Sequence, residues 1–157
     1  MLSSLRNILF WTFALALFSV TVNAGAMEYG TADEARALVA KAVDFYKANG
    51  KDKLLAELDN PQGQFVSHDL YVVAYALDGA RLAHPYNKDF IGQSVADAVD
   101  PDGKHYGLEE LALIKGKGVG WVDYKYTDPI THKPVPKSFY VFKVDTQIFL
   151  GCGVYKR

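Results

Sequence analysis

The sequence predicts an α+β domain: one antiparallel sheet of five strands, with helices mainly on one face. Three observations predict it. Two helical patterns open the domain, and three strand patterns joined by short connections close it. Between them Asp69–Pro85 reads as a β-hairpin whose faces are both apolar, so it is covered on both sides. A chain of 157 residues, 50% of them hydrophobic, supports one domain with a substantial core.

Residues 1–24 are expected to be a signal peptide outside the fold, leaving 25–157 as the mature domain. Arg6 precedes an apolar run from Ile8 to Val22, and Val22-Asn23-Ala24 places small or apolar residues at −3 and −1 of a cleavage site. Ala24-Gly25-Ala26 offers a second site. The run has fifteen residues, short of the roughly 20 that span a bilayer; an N-terminal anchor is the alternative. The expected location is periplasmic or secreted. Cleavage removes Arg6 and leaves a net charge of −2. The basic residues form no block, which excludes nucleic acid as a partner. Cys152 is the only cysteine, so no intramolecular disulfide forms, a pattern that suits a bacterial periplasm.

Taken in order, Thr31-Ala32-Asp33-Glu34 is a capping box, in which the Thr hydroxyl and the Glu carboxylate satisfy each other's unpaired amides. Ala35, Leu38, Val39, Ala42, Val43, Phe45 and Tyr46 follow at helical spacing, and Gly50 ends the helix. Lys51–Leu58 reads as a second helix stopped at Asn60-Pro61. In the hairpin, Asp78-Gly79 suits a two-residue type I′ turn. That turn pairs Tyr75 with Leu82 and Val73 with His84, putting Tyr71, Val73, Tyr75, Leu82 and His84 on one face. Leu70, Val72, Ala74 and Ala76 take the other, smaller face, which suits a closely packed helix. A connection of about twenty residues after Pro85 is long enough to be a functional wall, closing the second face of the sheet. Tyr106–Lys115 reads as a helix with Leu108, Leu111, Ala112 and Lys115 along one side. Val119–Tyr126, Lys137–Val144 and Ile148–Tyr155 read as strands, separated by the Pro-rich loop Asp128–Pro136 and the turn Asp145-Thr146-Gln147.

No constellation carries catalysis. Ser67-His68-Asp69 has the residue types of a hydrolase triad, but consecutive residues in an extended segment do not converge. Histidines 68, 84, 105 and 132 lack metal-ligand spacing, and Asp100-Pro101-Asp102-Gly103 lacks the distal ligands of a calcium loop, so it reads as a turn. With no cofactor signature and no nucleophile–base pair, the chain is read as a non-enzyme. Hydrogen-bonding side chains on core strands remain: Tyr71, Tyr75 and His84, then Trp121, Tyr124 and Tyr126, then Lys137 and Tyr140. A lysine beside a partly desolvated pocket calls for an anionic partner.

The segments "LYVVAYALDG", "LAHP", "IGQSV", "DPDGK", "GWVDYKYTDP", "PKSFYV" and "GCGVYK" occur in an order and spacing that resembles the single Cache domains of type 2, PAS-like extracytoplasmic sensor domains. The resemblance covers roughly Thr31 to Lys156. It implies a long N-terminal helix packed on a five-stranded sheet, with a small-ligand pocket between the sheet and the connecting segments. It also implies ligands such as acetate, propionate, pyruvate or lactate, held by Tyr71, Tyr75, His84, Trp121, Tyr124, Lys137 and Tyr140. Receptor Cache domains lie between two membrane spans; here no second span or output module follows the last strand, so a free-standing binding domain is expected. Candidate partners are therefore a C2–C4 carboxylate, a membrane receptor or histidine kinase, and a second copy of the chain through the N-terminal helix. The alternative is an interaction module with a filled pocket, docking to a receptor or kinase without a ligand of its own. A cavity lined by Tyr75, His84, Tyr124 and Lys137 separates the two.

Overall fold

A computed structural model describes residues 29–128 and 131–156; the expected signal segment lies outside them. The helix α1, Ala32–Asn49, starts at the predicted capping box, with both reciprocal hydrogen bonds formed between Thr31 and Glu34. It buries Ala35, Val39, Ala42 and Val43 against the sheet, while α2, Lys51–Leu58, adds Leu54 and Leu58. Each large aliphatic side chain fully buried in this way contributes about 1.5–3 kcal/mol.

The sheet consists of β1 (Val66–Ser67), β2 (Leu70–Ala76), β3 (Arg81–Ala83), β4 (Val119–Thr127), β5 (Pro134–Lys143) and β6 (Ile148–Tyr155). All pairings are antiparallel, in the order β1-β2-β6-β5-β4, with β3 on β2. The described residues thus form six strands rather than five. The extra strand is a two-residue fold-back, Val66 opposite Tyr71, too short to show a period of its own. Strand β5 starts at Pro134, inside the segment expected to be loop, because Thr127 pairs with Pro134 and the ladder continues unbroken to Val119 opposite Phe142.

The predicted hairpin turns differently. Ala76 donates its N–H to Ala80 and Gly79 donates to Ala76, which makes Leu77-Asp78-Gly79 a three-residue loop with Gly79 at φ +101°. This is the type I turn plus left-handed residue of longer hairpins, not a type I′ turn. Tyr75 therefore faces Arg81, one residue out of the predicted register, and a bulge at Leu82 restores it at Ala74 opposite Ala83. Leu82 consequently packs into the helix-side core instead of joining Tyr75.

Two cores lie on opposite faces of the sheet. One joins α1 and α2 to Leu70, Val72, Ala74, Ile148, Leu150 and Cys152. The other joins α3 (Tyr106–Gly116) and the connection to Val73, Tyr75, Val122, Tyr124, Phe139, Val141 and Phe149. As expected, the connection closes this second face. It runs along the outer edge of β3: Arg81 donates to Gln93 and Val95 donates to Gly79. Both Asp100 carboxylate oxygens accept backbone N–H groups, from Asp102 and Lys104 on one and Lys125 on the other, so the Asp-Pro-Asp-Gly turn clamps the connection to β4. The buried side of α3 is Tyr106, Gly107, Glu110, Leu111 and Ile114; of the residues read along one side of this helix, Leu108, Ala112 and Lys115 are exposed and only Leu111 is buried. The glutamate in the buried stripe masks its period in the sequence.

Candidate ligand-binding site

The register of the central strands builds the site. Lys137 on β5 lies between Tyr124 of β4 and Tyr155 of β6, and cross-strand partners share a face. Tyr71, Val73 and Tyr75 continue that face on β2. A cavity of about 30 Å³ opens here, lined by Tyr71, Tyr75, Arg81, His84, Tyr124 and Lys137, with Val73, Phe90, Tyr126 and Phe139 completing its wall.

Lys137 is only 4% exposed. Its ammonium lies 4.7 Å from the ring centres of both Tyr126 and Tyr155, and 5.7 Å and 5.9 Å from those of Tyr71 and Phe139. Cation–π contacts of this kind offset part of the cost of burying a charge. Among the described residues no carboxylate lies within ion-pair distance of Lys137 or of Arg81. The Arg81 guanidinium stacks 5.0 Å from Phe90 and 5.9 Å from Tyr75. Two cations therefore face one small cavity with aromatic rings, rather than anions, around them.

His84 has a defined tautomer. Its Nδ1 accepts the backbone N–H groups of Tyr86 at 3.2 Å and Asn87 at 3.0 Å, so the ring hydrogen must sit on Nε2. Burial, followed by the charges of Lys137, Arg81 and Lys88, holds its pKa down at about 4. The imidazole is thus neutral at pH 7 and is a donor through Nε2–H. Burial likewise pushes the phenols of Tyr71, Tyr75 and Tyr124 up, keeping them protonated. The polar lining consists of cations and groups that carry a donatable hydrogen.

Behind the phenols lies Glu110 of α3, 1% exposed, with no hydrogen-bond partner for its Oε2 among the described residues. Burial raises its pKa to about 8 against the opposing pull of Arg81 and Lys137. At pH 7 most of it is neutral, so it does not cancel the two cations.

The structure thus brings together Tyr71, Tyr75, His84, Tyr124 and Lys137. It does not bring in Trp121 or Tyr140. These two pair with each other across the β4–β5 ladder on the opposite face, with ring centres 5.1 Å apart, and Trp121 also stacks under Arg36 of α1. Each is three residues from a cavity residue, Trp121 from Tyr124 and Tyr140 from Lys137, and an odd offset along a strand reverses the face. Both belong to the helix-side core. The main residue absent from the sequence expectation is Arg81. The predicted register turned it away from Tyr75, and only the three-residue loop turns it inward. Phe139 was legible as two residues beyond Lys137, whereas Phe90, in an aperiodic connection, carried no signal.

Helices on both faces of an antiparallel sheet, and a cavity closed by the connecting segments, make an α+β architecture of the PAS-like type. The chain belongs to the single Cache domain 2 family, whose profile matches residues 15–157. It is 33% identical over 90 residues to the methyl-accepting chemotaxis protein McpP of Pseudomonas putida, a match that covers 56% of this chain and 16% of that receptor. Among solved structures it resembles a Cache chemosensory domain described for carboxylic acid recognition, with 28% identity, a TM-score of 0.62, and 80% of this chain and 88% of that one covered. It also shares the fold of a periplasmic sensor domain of a chemotaxis protein, with 24% identity, a TM-score of 0.62, and 80% and 90% covered. Among the described residues no helix is long and apolar enough to cross a membrane.

Proposed function

We propose that this chain is an exported Cache domain that binds the carboxylate of a small organic acid. One observation carries the proposal: Lys137 is buried at a cavity without a carboxylate partner among the described residues. A desolvated cation without an anion is costly, and a bound carboxylate removes that cost. Arg81 adds a second charge, and His84 Nε2–H with the phenols of Tyr75 and Tyr124 supplies directional donors. The relative described for carboxylic acid recognition supports the same ligand class. Nothing in this arrangement supplies a nucleophile with a base, so binding rather than turnover is the proposed outcome.

A charge-assisted hydrogen bond from Lys137 is worth about 1.5–3 kcal/mol net. At about 1 kcal/mol per heavy atom, ligands of about four to six heavy atoms bind with dissociation constants from about 1 mM down to tens of micromolar. The test is calorimetric titration with acetate, propionate, pyruvate and lactate. Lys137→Met keeps the apolar stem and is expected to weaken binding roughly 10- to 100-fold. If no acid binds at millimolar concentration, or if the variant binds as tightly as the parent, the carboxylate role is wrong.

A further inference from the structure

The 30 Å³ cavity is large enough for little more than the carboxylate itself, since a single water already needs about 10–15 Å³ by such a measure. The remainder of any ligand must lie elsewhere. A second chamber of about 480 Å³ adjoins the cavity and shares Tyr71, His84, Phe90 and Tyr126 with it. Tyr86 and Tyr155 complete its aromatic wall, with Thr127 at its edge. Its size falls within the range of pockets that take ligands of ten atoms or more.

The two compartments are mechanically joined. The Tyr71, Tyr126 and Tyr155 rings around the Lys137 ammonium also wall the chamber. The imidazole that offers Nε2–H to a carboxylate also holds, through Nδ1, the backbone N–H of Tyr86. Tyr86 is 57% exposed and packs edge-on against Tyr71 at 5.2 Å. A large aromatic side chain held in solvent at the rim of a cavity is placed to cover a ligand rather than a core. The chamber wall includes no lysine or arginine, and Asp69 is its one carboxylate among the described residues. A second anionic group is therefore disfavoured there.

We propose that the chamber is a second subsite, and that this domain takes monocarboxylates carrying an aryl group, with the carboxylate at Lys137 and the ring between Tyr71, Tyr86 and Tyr155. The assignment rests on the carboxylate site described above and extends its ligand class.

The experiment compares propionate, 3-phenylpropionate and the uncharged 3-phenylpropanol by calorimetry on the wild-type protein and on Tyr86→Ala, which keeps the backbone N–H held by His84. The aryl acid is expected to bind the wild type at least tenfold more tightly than propionate, and the alcohol more weakly than the aryl acid. Tyr86→Ala is expected to lose most of the aryl acid's advantage over propionate, read as the ratio of the two affinities within each protein. Intermolecular NOEs should connect the ligand ring to Tyr86 and Tyr155. If propionate binds but the aryl acid gains less than threefold, or its ring contacts neither tyrosine, the subsite is refuted and the carboxylate site stands. If neither acid binds, the carboxylate site itself is refuted and the subsite with it.

Discussion

Gly153 lies directly under the Lys137 side chain, so close that a Cβ on Gly153 would overlap Lys137 Cε. The glycine on β6 is what lets a lysine on the neighbouring strand lie across the sheet and reach the aromatic ring cluster. Its partner Gly151 makes the same room for the Phe139 ring. Between them Cys152 points to the other face and is fully buried in the helix-side core, where burial pushes its thiol up to about 12. The Gly-Cys-Gly sequence is thus a strand whose cavity face is bare because its neighbours' side chains occupy that space.

Gly153→Ala should therefore abolish the site without removing any binding group. The methyl forces Lys137 out of its position, and carboxylate affinity is expected to fall at least tenfold, approaching the effect of Lys137→Met. Overpacking of this kind costs about 1–3 kcal/mol of stability. Calorimetry together with urea unfolding measures both effects; undiminished affinity would show that Lys137 does not need this position.

The pH dependence of stability should carry two opposed contributions. Glu110 has a folded pKa of about 8 against an ordinary 4.5, so between these values the unfolded chain has lost a proton that the folded chain keeps. Stability then falls as pH rises through that window, by up to about 1.4 kcal/mol per unit. His84 has a folded pKa of about 4 against 6.5; between these values the unfolded chain binds the extra proton, and stability rises with pH. The two largely cancel below pH 6.5, and Glu110 alone acts above it. Urea unfolding at several pH values should show wild type losing stability from pH 6.5 to 8, and Glu110→Gln losing much less. Parallel profiles for the two proteins would place the Glu110 titration elsewhere.

Ionised Glu110 would also oppose an anion near Arg81 and Lys137. Carboxylate affinity of the wild type is expected to weaken above pH 8 and that of Glu110→Gln to stay level over pH 7–9. Calorimetry at three pH values is sufficient.

The two faces of β4 and β5 should separate stability from binding. Trp121→Phe and Tyr140→Phe alter the packing on α1 and are expected to change carboxylate affinity less than twofold. Tyr124→Phe removes a donor from the cavity and should weaken binding 3- to 10-fold, about 0.7–1.4 kcal/mol. A loss of affinity in the first pair would mean that the helix face reports on the ligand.

Export can be checked by intact mass. Protein from the periplasmic fraction is expected to begin at Gly25, or at Met27 if the second cleavage site is used. A full-length species in the membrane fraction would make Ile8–Val22 an anchor.

What the sequence determined by itself was local. Thr31 and Glu34 three residues apart form a capping box in any context that permits a helix, and the apolar stripe from Ala35 to Val43 needs only the helical period to find its face. Alternation on β2 likewise separates Tyr71, Val73 and Tyr75 from Val72 and Ala74. The same period of two sets Trp121 on the opposite face from Tyr124, and Tyr140 on the opposite face from Lys137. Tertiary structure alone decided which strands became neighbours, and with them the site. Nothing near Lys137 in sequence specifies that Gly153 and Tyr155 lie beside it, because strand pairing is set by the summed burial of both faces of a sheet. Nor does Asp78-Gly79 choose between a two- and a three-residue loop. That choice follows from pairing the connection to the outer edge of β3 and packing Leu111 within 3.2 Å of where a Gly79 side chain would begin. One residue of loop length turns Arg81 into the cavity and Leu82 out of it. Side-chain direction reverses at every residue along a strand, so a site built across a hairpin depends on a register that only long-range packing can settle.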